Sequence, residues 1–462
     1  MADIPSAIKD ICLRYQAVLL AQNSTMLKVA VTGEPAKALT DALHFAFSGQ
    51  VEFISWNEDK MALWQEKYAD ATQTQCSNLP TPAEKLNQIL ALGLKRRASD
   101  IHIEPQSESI RIRLRIDGVL QVAGQLTPEH GLAIVTRLKV LSRLDIAERR
   151  LPQDGQFTHV TQTGEHVSFR LSTLPTQYGE KVVLRLLNNV HQTPQLETLG
   201  MPARALKEFR AALSQPQGLI LVTGPTGSGK TITLYSGLNW LNQPGRNISS
   251  IEDPVEIPLA GVIQTQINHK TGYDFQQVLK ALLRQDPDVI MLGEIRDPET
   301  ALITINAAQT GHLVLSTLHT NSTLETLTRL KQMGLPGYQL GPALRMIIAQ
   351  RLLRRLCPHC RQPGKATGHF PSTIWPGTAQ NWLATGCPHC FSGFYGRLAL
   401  FEVLPVTSRL QNAIVNEAPL EALADIASKQ GLSQLFTEGL HAVNRGDTTL
   451  EELLRVTGYG EN

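Results

Sequence analysis

The chain has 462 residues, of which 42% are hydrophobic, 18% charged and 5% aromatic. That length excludes a single small module and favours about two to four domains, and the composition excludes a mainly disordered chain. The 43 basic and 41 acidic residues nearly cancel to a net charge of +2, so overall charge does not bind nucleic acid, and such a partner would need a local patch.

Met1-Ala2-Asp3-Ile4-Pro5 lacks the basic start and apolar run of a secretory signal, and no stretch approaches the roughly 18 apolar residues of a membrane span. A cytoplasmic protein is expected. Residues 1–72 mix helical and strand-like patterns without a chemical motif and read as a short N-terminal domain. The polar, proline-punctuated stretch Thr72 to Pro82 follows as a linker, assigned to 73–82.

Beyond it, Ala83 to Leu94 has helical spacing, while Ile101-His102-Ile103-Glu104 and Ile110-Arg111-Ile112-Arg113-Leu114-Arg115-Ile116 alternate apolar with polar, as half-buried strands do. Asp117-Gly118 then predicts a hairpin into Val119-Leu120-Gln121-Val122. A small α+β domain over 83–195 is expected, closed by the break His191-Gln192-Thr193-Pro194-Gln195. A helix containing Leu206 to Leu213 opens a larger domain over 200–462.

In that larger domain the apolar run Gly218 to Thr223 leads into Gly224-Pro225-Thr226-Gly227-Ser228-Gly229-Lys230-Thr231, with a helix-compatible Thr233 to Leu238 behind it. This is the strand, glycine-rich loop and helix of a P-loop. Glycines let backbone N–H groups turn inward on phosphates, Lys230 contacts the β- and γ-phosphates, and Thr231 ligates Mg²⁺. Buried-strand patterns at Val289 to Leu292 and His312 to Thr317 alternate with helical stretches, so an α/β fold with a mostly parallel sheet is expected.

ATP hydrolysis also needs an acid for the metal and a group to orient water. Glu294 follows the Val289 to Leu292 strand, beside the P-loop, and its reach suits contact through a Mg²⁺-bound water. Ile251-Glu252-Asp253-Pro254-Val255-Glu256 groups three acids around a proline, with a solvated turn as the alternative. His312 and His319 stand seven apart, which on a strand puts them on opposite faces and in different jobs.

Four of the six cysteines form two Cys-Pro-His-Cys units, Cys357/Cys360 and Cys387/Cys390. In a reducing compartment this spacing suits a tetrahedral, structural Zn²⁺, with His359 and His389 as competing ligands in neighbouring positions. Cys12 and Cys76 read as small semi-buried residues. Arg351, Arg354, Arg355 and Arg361 surround the first knuckle, and a basic zinc ribbon acting as a nucleic-acid translocase is the alternative function, without the interleaved aromatics that would support it.

The set of motifs resembles the hexameric secretion ATPases of type II secretion and type IV pilus assembly. The resemblance runs from about residue 83 to the end and rests on Ser99 to Pro105, Arg115 to Gly118, Leu151 to Gly155, the P-loop, Ile251 to Glu256, Gly293 to Asp297, the histidine segment and the tetracysteine. It implies a RecA-like P-loop domain, a smaller PAS-like α+β domain before it, and a zinc lobe over 351–400. It further implies Glu252 as general base, Glu294 as the Walker B acid and His319 as the sensor of the γ-phosphate, with His312 in a supporting role. Arg170 and Arg185 match arginines that the small domain swings over the phosphates. Gln156 departs from the family by standing where a further arginine is common. The implied cofactors are ATP, Mg²⁺ and Zn²⁺. The implied partners are five further copies of the chain and an inner-membrane platform protein that brings it peripherally to the membrane, with no direct nucleic-acid contact.

Overall fold

The computed structural model describes residues 17–22, 26–47, 49–57, 81–161, 163–187, 195–268, 271–365 and 379–458, with positions 8, 11, 12, 15, 61, 370, 371, 374 and 375. The amino-terminal pentapeptide, Cys76, the 72–80 part of the linker and the break at 191–194 lie outside the described residues. The chain divides into two compact units, 1–87 and 88–462.

In the first unit, β1 (Val18–Gln22) pairs antiparallel with β2 (Met26–Thr32), which pairs parallel with β3 (Gln50–Trp56). The parallel pair needs a crossover, and the helix Lys37–Ala46 supplies it. Leu27, Val29 and Val31 alternate inward on β2 to meet Leu39 and Leu43 of that helix.

The helix Pro82–Lys95 crosses the division between the units. Its start is a capping box: Glu84 N–H donates to Thr81 Oγ1 at 3.2 Å, and Thr81 N–H donates to Glu84 Oε2 at 2.7 Å.

The second unit holds two sheets. Six strands, β4 (Ala98–Pro105), β5 (Ile110–Ile116), β6 (Val119–Leu126), β7 (Gln153–Val160), β8 (His166–Thr176) and β9 (Gly179–Leu187), form an antiparallel sheet in the order β6-β5-β4-β9-β8-β7. Asp117 and Gly118 both have positive φ, at 48° and 89°, as the tight β5–β6 turn requires. On one face Ile101, Ile103, Ile112, Leu114, Phe169, Leu171, Val182 and Leu184 are buried, and the helix Pro128–Leu141 also buries Ile134 and Leu138. The other face is charged because of register: Asp100 lies opposite Arg115 and Arg185, and Glu104 lies opposite Arg111. Glu104 is 5% exposed and takes Arg113 at 2.6 Å, Arg111 at 3.1 Å and Lys181 at 3.2 Å. Burial pushes this carboxyl up, but the hydrogen bonds and charges of Arg113 and Lys181 outweigh it and hold it at about 2.

The larger sheet comprises β10 (Gly218–Thr223), β11 (Ile248–Glu252), β12 (Ile263–Gln266), β13 (Val289–Leu292), β14 (Leu313–Leu318), β15 (Leu344–Leu356) and β18 (Phe394–Pro405), in the order β12-β11-β13-β14-β10-β15-β18. Every pair is parallel except β15–β18. The continuous apolar runs arise because both faces are covered. Leu219 and Leu221 of β10 enter one core with Ile290, Leu292 and Ile305, while Ile220 and Val222 enter the opposite core with Leu234, Leu238 and Met291. Between β15 and β18, the described residues among 357–393 lie outside this sheet and include the short pair β16 (Arg361–Pro363) and β17 (Trp382–Ala384).

One local expectation changes. The strand predicted at His312 to Thr317 runs from Leu313 to Leu318, so both histidines flank it and the opposite-face argument does not apply. The Val289 to Leu292 strand brings Glu294 beside the P-loop as expected, although β14 lies between β13 and β10, an order set by crossovers and not readable from the strands' own residues.

Candidate active site

Strand β10 ends at Thr223 and the helix Lys230–Leu241 begins at Lys230, so Gly224 to Gly229 form the whole connection. Gly224 has φ 147°, and a Cβ there would stand 2.5 Å from the Gln350 carbonyl oxygen and 2.6 Å from Ser228 Oγ. Gly229 has φ 87°, and its Cβ would meet Gln350 Nε2 at 2.9 Å. A backbone packed this closely leaves room only for glycine. Ser228 Oγ is buried with no hydrogen-bond partner, as fits a loop whose polar atoms await an anion.

Lys230 is 9% exposed and its ammonium donates to the carbonyls of Gly224 at 2.7 Å and Pro225 at 3.2 Å. Burial pushes the amine down to about 8; the Glu294 charge opposes this and Arg351 adds to it. A phosphate at this loop would supply the missing counter-charge.

The loop opens on a cavity of about 1110 Å³ lined by Thr226 to Thr231, Glu252, Asp253, Glu256, Glu294 and His319. Glu294, just past β13, takes a hydrogen bond from Arg296 and lies 3.3 Å from His319 Nε2. Burial raises its carboxyl, but the Arg296 hydrogen bond and charge, with a smaller contribution from His319, bring it below the ordinary value, so it stands as a carboxylate suited to a cation. Glu252, the last residue of β11, is 3% exposed. Ser250 Oγ donates to its Oε1 at 2.5 Å and Gln264 Nε2 at 3.1 Å, while the Tyr235 hydroxyl donates to Oε2. Glu256 is pushed up by burial and by the Glu252 charge, with Arg185 pulling the other way.

The structure therefore brings the P-loop, Glu252, Glu294 and His319 to one cavity. Arg170 and Arg185 do not line it: Arg170 is exposed on β8, and Arg185 is paired with Asp100 at 2.9 Å. His312 Nδ1 lies 3.0 Å from the Ala307 carbonyl, at the end of the helix Pro298–Gln309 and away from the lining.

The antiparallel sheet and the end of the helix leading into it form another wall through Leu94, Arg97, Ala98, Ser99, Asp117 and Leu186. It touches the start of β18: Gly396 N–H donates to Asp117 Oδ2 at 3.0 Å, and the Arg97 guanidinium lies 3.8 Å from the Tyr395 ring centre. Residues that sequence reasoning did not assign to this site also support it. Thr223 Oγ1 joins the end of β10 to Thr320, beside His319, accepting the Thr320 N–H at 2.9 Å. Arg351 donates to Asn321 Oδ1 at 3.0 Å, tying the same loop to β15. The signal for Tyr235 was its type: a phenol in a helix this apolar must find a buried partner.

The four cysteines of the 357–393 segment converge, with sulfurs all within 4.8 Å of one another. Cys357–Cys387, Cys360–Cys390 and Cys387–Cys390 are 3.8, 3.7 and 3.6 Å apart. Zinc–sulfur bonds of about 2.3 Å in a tetrahedron give edges of about 3.8 Å, so the donor set fits zinc. His359 and His389 are exposed, with ring centres 5.0 Å apart, and belong to no metal-binding group with these sulfurs. Among the arginines near the first knuckle, Arg354 is held by Glu452 at 2.8 Å and lies over Phe394, and Arg361 lies over Trp382.

Residues 79–455 match the family described as Type II/IV secretion system protein. The chain belongs to that family. It is 55% identical over 459 residues to the Escherichia coli K12 protein transport protein HofB homolog, covering 98% of each chain. It is 47% identical over 378 residues to the Pseudomonas aeruginosa type IV pilus assembly ATPase PilB, covering 80% of this chain and 67% of that one. Among solved structures it is similar to the pilus retraction motor PilT with bound ADP, at 26% identity and a TM-score of 0.53, covering 80% of this chain and 96% of that one. It also shares its fold with the Legionella pneumophila ATPase DotB, at 20% identity and a TM-score of 0.61 over 82% of this chain and 96% of that one. Like these relatives of the secretion and pilus family, the chain is an α/β ATPase. Among the described residues no helix is long and apolar enough to cross a membrane.

Proposed function

We propose that this ATPase is the motor that assembles a type IV pilus or a type II secretion pseudopilus, acting as a homo-hexamer on an inner-membrane platform protein from the cytoplasmic side. The observation that carries the proposal is the single cavity in which the P-loop faces Glu252, Glu294 and His319 while the small domain supplies the opposite wall. A nucleotide held between two domains couples its own cleavage to their separation.

In this reading residues 83–195 are a PAS-like domain, residues 200–462 a RecA-like domain with the cysteine lobe, and residues 1–72 the part that meets the platform. Lys230 and the backbone of Gly224 to Gly229 hold the β- and γ-phosphates. Thr231 and Glu294 would hold Mg²⁺, which would neutralise charge on the transferred phosphoryl group. Glu252 orients the attacking water and takes its proton, and His319, 3.3 Å from Glu294, reads the γ-phosphate. Arg170 and Arg185 reach the phosphates only if the small domain moves, since neither lines the cavity as it stands. Cys357, Cys360, Cys387 and Cys390 would hold a Zn²⁺ with a structural role, fixing the loop-rich lobe. Of the arginines on which the nucleic-acid translocase reading rests, Arg354 and Arg361 are spent on internal contacts.

The test is Lys230→Ala, measured by phosphate release. Hydrolysis is lost while zinc content stays that of the parent protein. A variant that hydrolyses ATP at the parent rate refutes the assignment, and hydrolysis stimulated by DNA or RNA with steep salt dependence would replace the motor reading with the translocase one.

A further inference from the structure

Tyr235 is fully buried on the helix Lys230–Leu241, one turn beyond Thr231. A buried phenol needs a hydrogen-bond partner, and here the hydroxyl donates to Glu252 Oε2. The other carboxylate oxygen is held from the sheet, by Ser250 of β11 at 2.5 Å and Gln264 of β12 at 3.1 Å. Glu252 is therefore gripped from two sides, one oxygen by the sheet and the other by the helix that begins at Lys230.

We propose that Tyr235 is a positioning residue for ATP hydrolysis, fixing the Glu252 carboxylate relative to the helix whose first two residues meet the phosphates. The proposal rests on the reading that Glu252 acts on the attacking water. Burial, the hydrogen bond to Glu252 and the Glu252 charge all push the phenol above its ordinary value, so it stays a donor throughout the working pH range. Because the three donors are neutral, they orient the carboxylate without bringing a positive charge that would neutralise it.

Two consequences of removing the hydroxyl oppose each other. A carboxylate with one donor fewer is more basic, which favours proton abstraction. It is also tied only to the sheet, and a misplacement of about 1 Å can cost about 10²-fold in rate. The orientation effect is the larger, because general-base strength enters the rate only fractionally.

The experiment compares Tyr235→Phe, Glu252→Gln and the double variant in the full-length chain by steady-state ATP hydrolysis. Phe keeps the ring packing, and thermal unfolding checks that the fold is intact. Tyr235→Phe is expected to lower kcat about ten- to a hundredfold with KM for ATP within about twofold. In the Glu252→Gln background the same substitution is expected to change kcat less than about twofold. An unchanged kcat in Tyr235→Phe beside an inactive Glu252→Gln overturns the positioning role and leaves the Glu252 reading standing. An equal loss in both backgrounds overturns it as well, since Tyr235 would then act independently of Glu252. A Glu252→Gln protein at the parent rate overturns the base reading and, with it, this one.

Discussion

Replacing Glu452 by Gln tests how the end of β15, which leads directly into Cys357, is held. Glu452 has a side chain with no solvent exposure and accepts hydrogen bonds from Arg354 Nε at 3.0 Å and Nη2 at 2.8 Å, from the Arg354 backbone N–H at 3.0 Å, and from Arg455 at 2.9 and 2.6 Å. Burial raises its carboxyl, but the hydrogen bonds from Arg455 and Arg354 outweigh it and hold the group ionised. Arg455 is half exposed and contributes little. Arg354 is 18% exposed, and losing its counter-charge resembles breaking a buried pair, which costs about 3–5 kcal/mol. At the lower end, each 1.36 kcal/mol being tenfold, local opening becomes about a hundredfold more frequent. Hydrogen exchange of peptides covering 350–357 in the full chain measures it, and Arg354→Met in the same background restores much of the protection by removing the stranded charge. A rise in exchange below about fivefold in Glu452→Gln would show that this contact does not hold the strand, and the reasoning would fail.

Acid should loosen the small domain through Glu104. Its folded value of about 2 lies below the ordinary 4.5, so its contribution of about 3 kcal/mol is complete above pH 4.5 and is lost as pH falls toward 2; exchange of peptides covering 98–116 should show Glu104→Gln weaker than the parent at pH 7, with the gap narrowing in that window. Gly224→Ala should abolish nucleotide binding, read by fluorescent-nucleotide titration, because a Cβ 2.5 Å from the Gln350 carbonyl cannot be relieved by turning a side chain. Elemental analysis should find about one zinc per chain, lost in Cys387→Ser and on chelation, with increased proteolysis of 357–393; protein purified without chelators and lacking zinc would refute the metal assignment.

The sequence carried those parts of the site that one segment encodes. Gly218 to Thr231 announced strand, loop and helix in order, the isoleucine–arginine alternation of 110–116 announced a half-buried strand, and the cysteine spacing announced the convergent sulfurs that the fold then provided. It did not carry what depends on two distant segments meeting. Nothing local in Val289 to Leu292 reveals that β14 separates it from β10, because strand order follows from the crossovers. The Tyr235–Glu252 contact was hidden because each residue had a bland explanation alone, one as a helix residue and one as a turn acid. Arg170 and Arg185 were assigned to the phosphates by resemblance, and in this arrangement Arg185 is paired with Asp100 instead, so their proposed role needs movement that a single arrangement of the domains does not display.

The contact of Asp117 and Arg97 with Tyr395 and Gly396 has a mechanical consequence. Those two residues follow Phe394 at the start of β18, which is zipped antiparallel to β15 from Leu356↔Phe394 to Met346↔Pro405, and β15 lies directly against β10. A pull along the strand, entering at Gly396, loads this whole ladder in shear, so many hydrogen bonds must slip together before the strand yields. Force passing from the antiparallel sheet to the P-loop strand would thus cross two ladders in series, β18–β15 and β15–β10.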